Sequence, residues 1–159
     1  MTCDISRAFF HVPAGPPTFV EIPEEDKDWS EKELVGKLKL VLYGTREAAA
    51  AWQKEAAKHL IEIGCHRETF SPCLFHHRER KLMLMVHGDD YAAAGPRSQV
   101  NWLSKALEKR FGQEYVKTEL LSIHDNDKHE ISIFKRMIRL TEAGIEMEAD
   151  VRHAEIIIR

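Results

Sequence analysis

Apolar residues recur at Ala48, Trp52, Ala56, Leu60 and Ile63, spaced by three and four along the chain. That spacing predicts one buried stripe on a helix from about Thr45 to Ile63, with Thr45 as its cap and Gly64 one position past its end. A second stripe, Val100, Leu103, Leu107 and Phe111, predicts a helix over about Arg97 to Phe111, stopped by Gly112. Between them the period changes from 3.6 to 2. Cys73 to His77 and Lys81 to His87 read as two strands joined by the turn Arg78-Glu79-Arg80. Leu82 to Val86 and Tyr91 to Ala94 flank Gly88-Asp89, and a two-residue loop with glycine first is the mark of a type II′ hairpin. Shorter strands are predicted at Thr18–Ile22 (ended by Pro23), Val35–Leu42 (half-buried), Tyr115–Leu120, Glu130–Leu140 and Ile145–Glu148. The acidic stretch Glu24 to Glu33 reads as a solvated loop, and a last helix starts near Asp150. Strand, helix, hairpin, helix, strand in that order predicts an α+β fold, an antiparallel sheet with two main helices on one face. Trp52, Trp102, Met83 and Met85 read as plain core positions.

The chain has 159 residues, a one-domain length, and its 43% hydrophobic and 31% charged residues exclude disorder, collagen and a disulfide scaffold. Lys and Arg number 23 against 26 Asp and Glu, a formal net charge of −3 with no basic arm or acidic tail in either half. A protein that grips nucleic acid unaided is usually more basic. No apolar run approaches the roughly 18 residues of a membrane span, and no signal peptide precedes Asp4. Cys3, Cys65 and Cys73 form no Cys-x-x-Cys pair and read as free thiols, which places the chain inside the cell, cytoplasmic or nuclear, away from membranes.

The candidate chemistry sits at the predicted hairpin. Adjacent carboxylates such as Asp89 and Asp90 repel and raise one another's pKa, a costly arrangement unless a cation or a function uses it. Asp in a turn is common for purely local reasons, so the company matters. Asp4 ends another apolar stub, followed by Phe9-Phe10. A competing constellation is Cys65, His66, Cys73, His76 and His77, soft zinc ligands within thirteen residues, although Cys73 and His76 fall on a strand-like segment rather than a knuckle.

Asp4-Ile5-Ser6-Arg7-Ala8-Phe9-Phe10 resembles polymerase motif A of copia-like LTR retrotransposon reverse transcriptases. Leu42-Tyr43-Gly44-Thr45-Arg46-Glu47-Ala48-Ala49-Ala50-Ala51-Trp52 resembles the LYGLKQAPRAW box of that family, and Ser71-Pro72-Cys73-Leu74-Phe75 its SPCLF segment. Val86-His87-Gly88-Asp89-Asp90-Tyr91 resembles its Asp-Asp box, and Glu148-Ala149-Asp150-Val151-Arg152-His153 its E-A-D-x-R-H segment. The matches come in family order along nearly the whole chain. The resemblance implies a polymerase palm (a truncated reverse transcriptase fold) over residues 1–120, with residues 121–159 as a strand pair and the start of a truncated helix leading towards a thumb. It implies an RNA-directed DNA polymerase in which Asp4, Asp89 and Asp90 hold two Mg²⁺ (or Mn²⁺) ions, adding dNTPs to a primer 3′-hydroxyl. Phe9 would gate against the ribose 2′-hydroxyl, Tyr43, Gly44 and Arg46 would lie under the incoming nucleotide, and His87 and Gly88 would position the primer. Primer–template and dNTP are the implied partners.

Departures from the pattern are specific. His87-Gly88 stand where the family has an aromatic and any residue, Glu47 where it has Gln, and Ala49 where it has Pro. Fingers ahead of Asp4, a full thumb and RNase H are expected to be missing, so the isolated chain is expected to be inactive. The alternatives are a non-catalytic remnant or interaction fragment of a degraded or domesticated element, and a small zinc-binding module.

Overall fold

The computed structural model describes residues 1–26, 34–124, 126–134, 136–148 and 151–158, and the side chains of 151–154 fall outside the description. The fold is mixed α+β with antiparallel sheets. The main sheet contains β1 (Thr2–Ile5), β4 (His66–Arg67), β5 (Leu74–His77), β6 (Leu82–His87), β7 (Asp90–Ala94) and β8 (Val116–Glu119), ordered β4-β5-β6-β7-β1-β8. The N-terminal strand is therefore interior, paired on both sides. Its neighbours are separated by α2 (Arg97–Phe111), while α1 (Ala48–Glu62) precedes β4.

Alternation along each strand decides the two faces. Cys3, Ile5, Phe75, His77, Leu82, Leu84, Tyr91, Ala93 and Val116 are buried, and all but His77 belong to the apolar core with Ala48, Trp52, Ala56 and Leu60 of α1 and Val100, Leu103, Leu107 and Phe111 of α2. Both helices thus cover one face, as the two stripes predict. The helix α1 forms because Ala48–Ala51 carry little entropic cost and the stripe meets the sheet. It ends where Gly64 takes φ +95°. In α2 the predicted bounds are matched, with Gly112 at φ +96° as the stop.

The other face is open at one end and covered at the other. A second sheet, β9 (Glu130–Ile133), β10 (Arg136–Thr141) and β11 (Gly144–Met147), lies across Leu74, Met83, Met85 and Ala92. Ile131, Ile133, Ile138 and Ile145 look across a cavity of about 640 Å³ at those residues. A hairpin of β2 (Phe19–Glu21) and β3 (Val35–Lys37) stands apart, and α3 (Val151–Ile158) ends the described chain with Ile156, Ile157 and Ile158 exposed.

Several expectations need correction. The predicted strand Glu130–Leu140 is two strands, because Phe134 takes φ +50° and turns the chain back, so residues 121–159 hold three strands rather than a pair. The predicted half-buried strand Val35–Leu42 is only three residues long, with Val35 and Leu40 exposed. Thr45 does not cap α1; its hydroxyl donates to the Leu42 carbonyl (2.8 Å) and closes the preceding turn. In the acidic stretch, Glu24–Asp26 form an exposed 3₁₀ turn, and residues 27–33 lie outside the described residues. Ala149 and Asp150 of the last matched segment lie outside them too.

Gly95 gives a direct test of packing. A Cβ there would meet Leu82 Cδ2 at 2.7 Å and the Lys81 carbonyl oxygen at 2.8 Å, whereas a Cβ at Gly15 would meet nothing within 4 Å. Gly95→Ala is expected to cost about 1–3 kcal/mol in urea unfolding, the usual penalty of overpacking. Gly15→Ala is the control and should shift the midpoint by less than about 0.5 kcal/mol.

Candidate functional site

The register aligns four side chains in one row across four strands. His87 of β6 pairs with Asp90 of β7, Asp90 with Asp4 of β1, and Asp4 with Lys117 of β8. Cross-strand partners share a face, so this row His87, Asp90, Asp4, Lys117 lies on the open face. The residues one step along, Cys3 and Tyr91, point into the helix layer instead. The sheet therefore brings Asp4 and Asp90 together as direct partners, which sequence position alone leaves 86 residues apart.

Asp89 joins the row from the turn. Gly88 takes φ +64° while Asp89 does not share a positive φ, the pattern of the predicted II′ turn. Asp90 is the first residue of β7 rather than part of the tip. The Asp89 carbonyl accepts from the Ile5 N–H (3.1 Å), so the turn is tied to the end of β1. Ser6 Oγ donates to Asp4 Oδ2 (3.2 Å) and fixes that carboxylate from its own strand end.

Trp52 supports the turn from below. Its side chain is fully buried and its Nε1–H donates to the Gly88 carbonyl at 2.6 Å. This side chain is more than core: it holds the acid-bearing loop onto α1. Beside the loop, Phe9 and Tyr43 rings lie 4.4 Å apart and Phe10 meets Tyr43 edge-on at 5.5 Å. Burial raises the Tyr43 hydroxyl pKa, and the Asp89 and Asp4 charges raise it further, which sets Tyr43 next to the acids. Gly44 needs glycine for its φ of +85°, not for space, since a Cβ there would meet nothing within 4 Å. Arg46 is exposed at the start of α1 and makes no ion pair among the described residues. Phe9, Tyr43, His87 and Gly88 thus gather with the acids, and Arg46 stands at the margin.

The electrostatics follow from crowding. Burial pushes the Asp90 carboxyl pKa up, with Asp89 and Asp4 adding repulsion and His87 opposing it. Among the described residues, no Lys, Arg or His forms an ion pair with Asp4, Asp89 or Asp90. Hard carboxylate oxygens without a partner cation fit the chemistry of Mg²⁺ or Mn²⁺. Among the described residues, no three His, Cys, Asp or Glu side chains close around one point. Mg²⁺ commonly takes one or two carboxylates and completes its shell with water and phosphate, and such an open donor set suits it.

The soft-ligand constellation does not converge. Cys65 is buried with its thiol pushed up to about 11, Cys73 is exposed, and His76 and His77 point to opposite faces of β5. His76 instead holds Glu68 at 2.7 Å.

Three residues of the site escape sequence reasoning. Lys117 enters only through the strand order, Ser6 through a local hydrogen bond, and Trp52 through an indole N–H that a helical stripe does not reveal. No protein-family model matches the chain. No helix of the described residues is long and apolar enough to cross a membrane.

Two outcomes check this geometry. Trp52→Phe keeps most of the buried ring but strands the Gly88 carbonyl, so it should destabilise the fold by about 1–3 kcal/mol and broaden the amide signals of His87 to Asp90. Asp90→Asn should raise the thermal midpoint at pH 7 by removing a repelled charge. Asp90 is exposed, so screening holds the gain to at most about 1 kcal/mol, or roughly 2–4 °C.

Proposed function

We propose that this chain is the palm portion of a copia-like retrotransposon reverse transcriptase, with nucleotidyl transfer to a primer 3′-hydroxyl as its chemistry. The observation that carries the reading is the register pair Asp4 and Asp90, with Asp89 on the adjoining turn and Phe9 and Tyr43 beside it. Polymerase chemistry needs acids from separate chain segments on an open surface, and the pairing of Asp4 with Asp90 beside the Asp89 turn supports that reading. Asp4, Asp89 and Asp90 would hold two divalent cations. When bound, these ions lower the pKa of the attacking hydroxyl and neutralise the triphosphate and the leaving oxygen.

The chain's own side chains then have separable tasks. Ser6 orients the Asp4 carboxylate, and Trp52 fixes the turn that presents Asp89. Lys117, across β1 from Asp4, adds a positive charge at the end of the row for a phosphate oxygen. Phe9 packs on Tyr43 and forms an apolar wall where a ribose 2′-hydroxyl would find no hydrogen-bond partner, which favours DNA synthesis. Arg46 is free to swing towards phosphate. His87, opposite Asp90 and edge-on to Phe134 at 5.5 Å, would bear on the primer end.

A second reading has its own observation. Among the described residues no three donors close on a point, as a non-catalytic remnant of an element would also show.

The experiments separate the two. Mn²⁺ titration followed by NMR should broaden signals of Asp4, Asp89 and Asp90 at millimolar metal. Broadening confined to the exposed turn Glu24–Asp26 would sink the metal site. Joined to copia-like fingers and thumb, the palm should extend a primer on an RNA template, and Asp89→Asn should abolish extension. An inactive chimera with intact folding would favour the remnant. The 159-residue chain by itself should extend no primer, because a net charge of −3 gives it little electrostatic attraction for a primer–template at physiological salt.

A further inference from the structure

On the outer strands of the main sheet a second row crosses the open face. His66 of β4 pairs with His76 of β5, and His76 with Met83 of β6. Cross-strand partners share a face with Cβ atoms about 4.5–5.5 Å apart, so two imidazoles and a thioether stand side by side. The His66 and His76 rings are 5.3 Å apart between centres and 22° from parallel. Glu68, two residues on from His66, holds His76 Nδ1 with its Oε1 at 2.7 Å. Glu68, His76 and Met83 also border the cavity under the second sheet. Met83 reads as core from the strand alternation, yet it is 68% exposed. A single exposed apolar residue is ordinary, so the company it keeps is what counts. Every member of the group is open to solvent: His66 and Glu68 are exposed and His76 is half-buried.

We propose that His66, His76 and Met83 bind one copper(I) ion, with Glu68 orienting His76. A carboxylate only accepts, so the 2.7 Å contact assigns a proton to His76 Nδ1 and leaves Nε2 as the nitrogen free to ligate. A carboxylate behind an imidazole is the common support of a metal-bound histidine, fixing the ring and raising its basicity. Metals bind imidazole nitrogen at about 2 Å, so rings with centres 5.3 Å apart are near enough to share one ion. The thioether decides which metal. Zinc draws on thiolate, imidazole and carboxylate, whereas a thioether is a soft donor that selects copper(I). Among the described residues no three His, Cys, Asp or Glu side chains close around one point, so the Met83 sulfur is the third donor the site requires. The thiols lie apart from it: Cys65 is buried, and Cys73 borders a different cleft with Gln53 and Ala56 of α1. The ion needs none of Asp4, Asp89 or Asp90, so this site and the palm reading stand or fall separately.

The test uses the whole chain carrying Cys73→Ser, which removes the exposed thiol that would compete for copper(I). With ascorbate and without oxygen, titration against the coloured chelator bicinchoninate should show one equivalent of copper(I) bound. The ion is diamagnetic, so NMR signals stay sharp, and the Met83 methyl and the His66 and His76 ring signals should shift together. Met83→Leu, close in volume and at an exposed position, should weaken copper(I) binding at least about tenfold with the thermal midpoint unchanged. Glu68→Gln should weaken it about tenfold, the usual effect of losing a supporting carboxylate. A Met83 methyl that stays put as copper(I) saturates, or equal affinity with and without Met83→Leu, would overturn the proposal. Loss of all copper(I) binding with Cys73→Ser would overturn it too, by moving the ion to the thiol.

Discussion

The insertion of β1 between β7 and β8 is the constraint on which the rest depends. A strand paired on both sides has no freedom of register, and a slip of one residue would exchange its two faces. Here such a slip would carry Cys3 and Ile5, at 2% and 0% exposure, out of the helix layer and drive Asp4 into it. Burying an unpaired carboxylate there would cost far more than the register could return. The apolar side of β1 therefore determines where its polar side stands. Asp4 faces Asp90 and Lys117 because Cys3 and Ile5 must face the core.

The hairpin is held by a different device. Gly88 and Asp89 form a two-residue turn whose tip has no packing of its own, so its position rests on backbone atoms. The Asp89 carbonyl takes the Ile5 N–H and the Gly88 carbonyl takes the Trp52 indole N–H. One bond ties the turn to the sheet and the other to α1. Tyr43, five residues before α1 begins, leans on Phe9, four residues beyond β1. Helix, turn and strand end thus meet around the acids, and their repulsion is offset by contacts made below the surface on which they lie.

How much of this the sequence reveals follows from the range of each signal. The bounds of α2 and the turn at Gly88 were legible because helix period, glycine and a two-residue loop are local. The break at Phe134 was not, since apolar residues continue across it without a glycine or proline and the reversal uses a positive φ at an aromatic residue. Strand Val35–Leu42 was overread for the reverse reason: its alternation is real, but only three residues find a partner, in β2. Within the site, Asp4, Asp89 and Asp90 could be nominated from residue type and from likeness to a motif. Lys117 could not, because its neighbour across the sheet is set by a strand order that places the first strand beside the eighth. Trp52 was read as core on its spacing, and it is core; the hydrogen bond that gives it a second task depends on where a distant carbonyl comes to rest.

The open face is divided by chemistry as well as by position. At the turn end it carries His87, Asp90, Asp4 and Lys117, whose charges favour a wet surface. Two residues further along β1 and β7 the same face shows Thr2 and Ala92, then Met85, Leu74 and Met83, and there the second sheet lies over it. Small side chains at Thr2 and Ala92 mark the boundary, where bulk would press the second sheet away. His87 belongs to both regions: it opposes Asp90 in the row, and its ring meets Phe134 at the turn between β9 and β10.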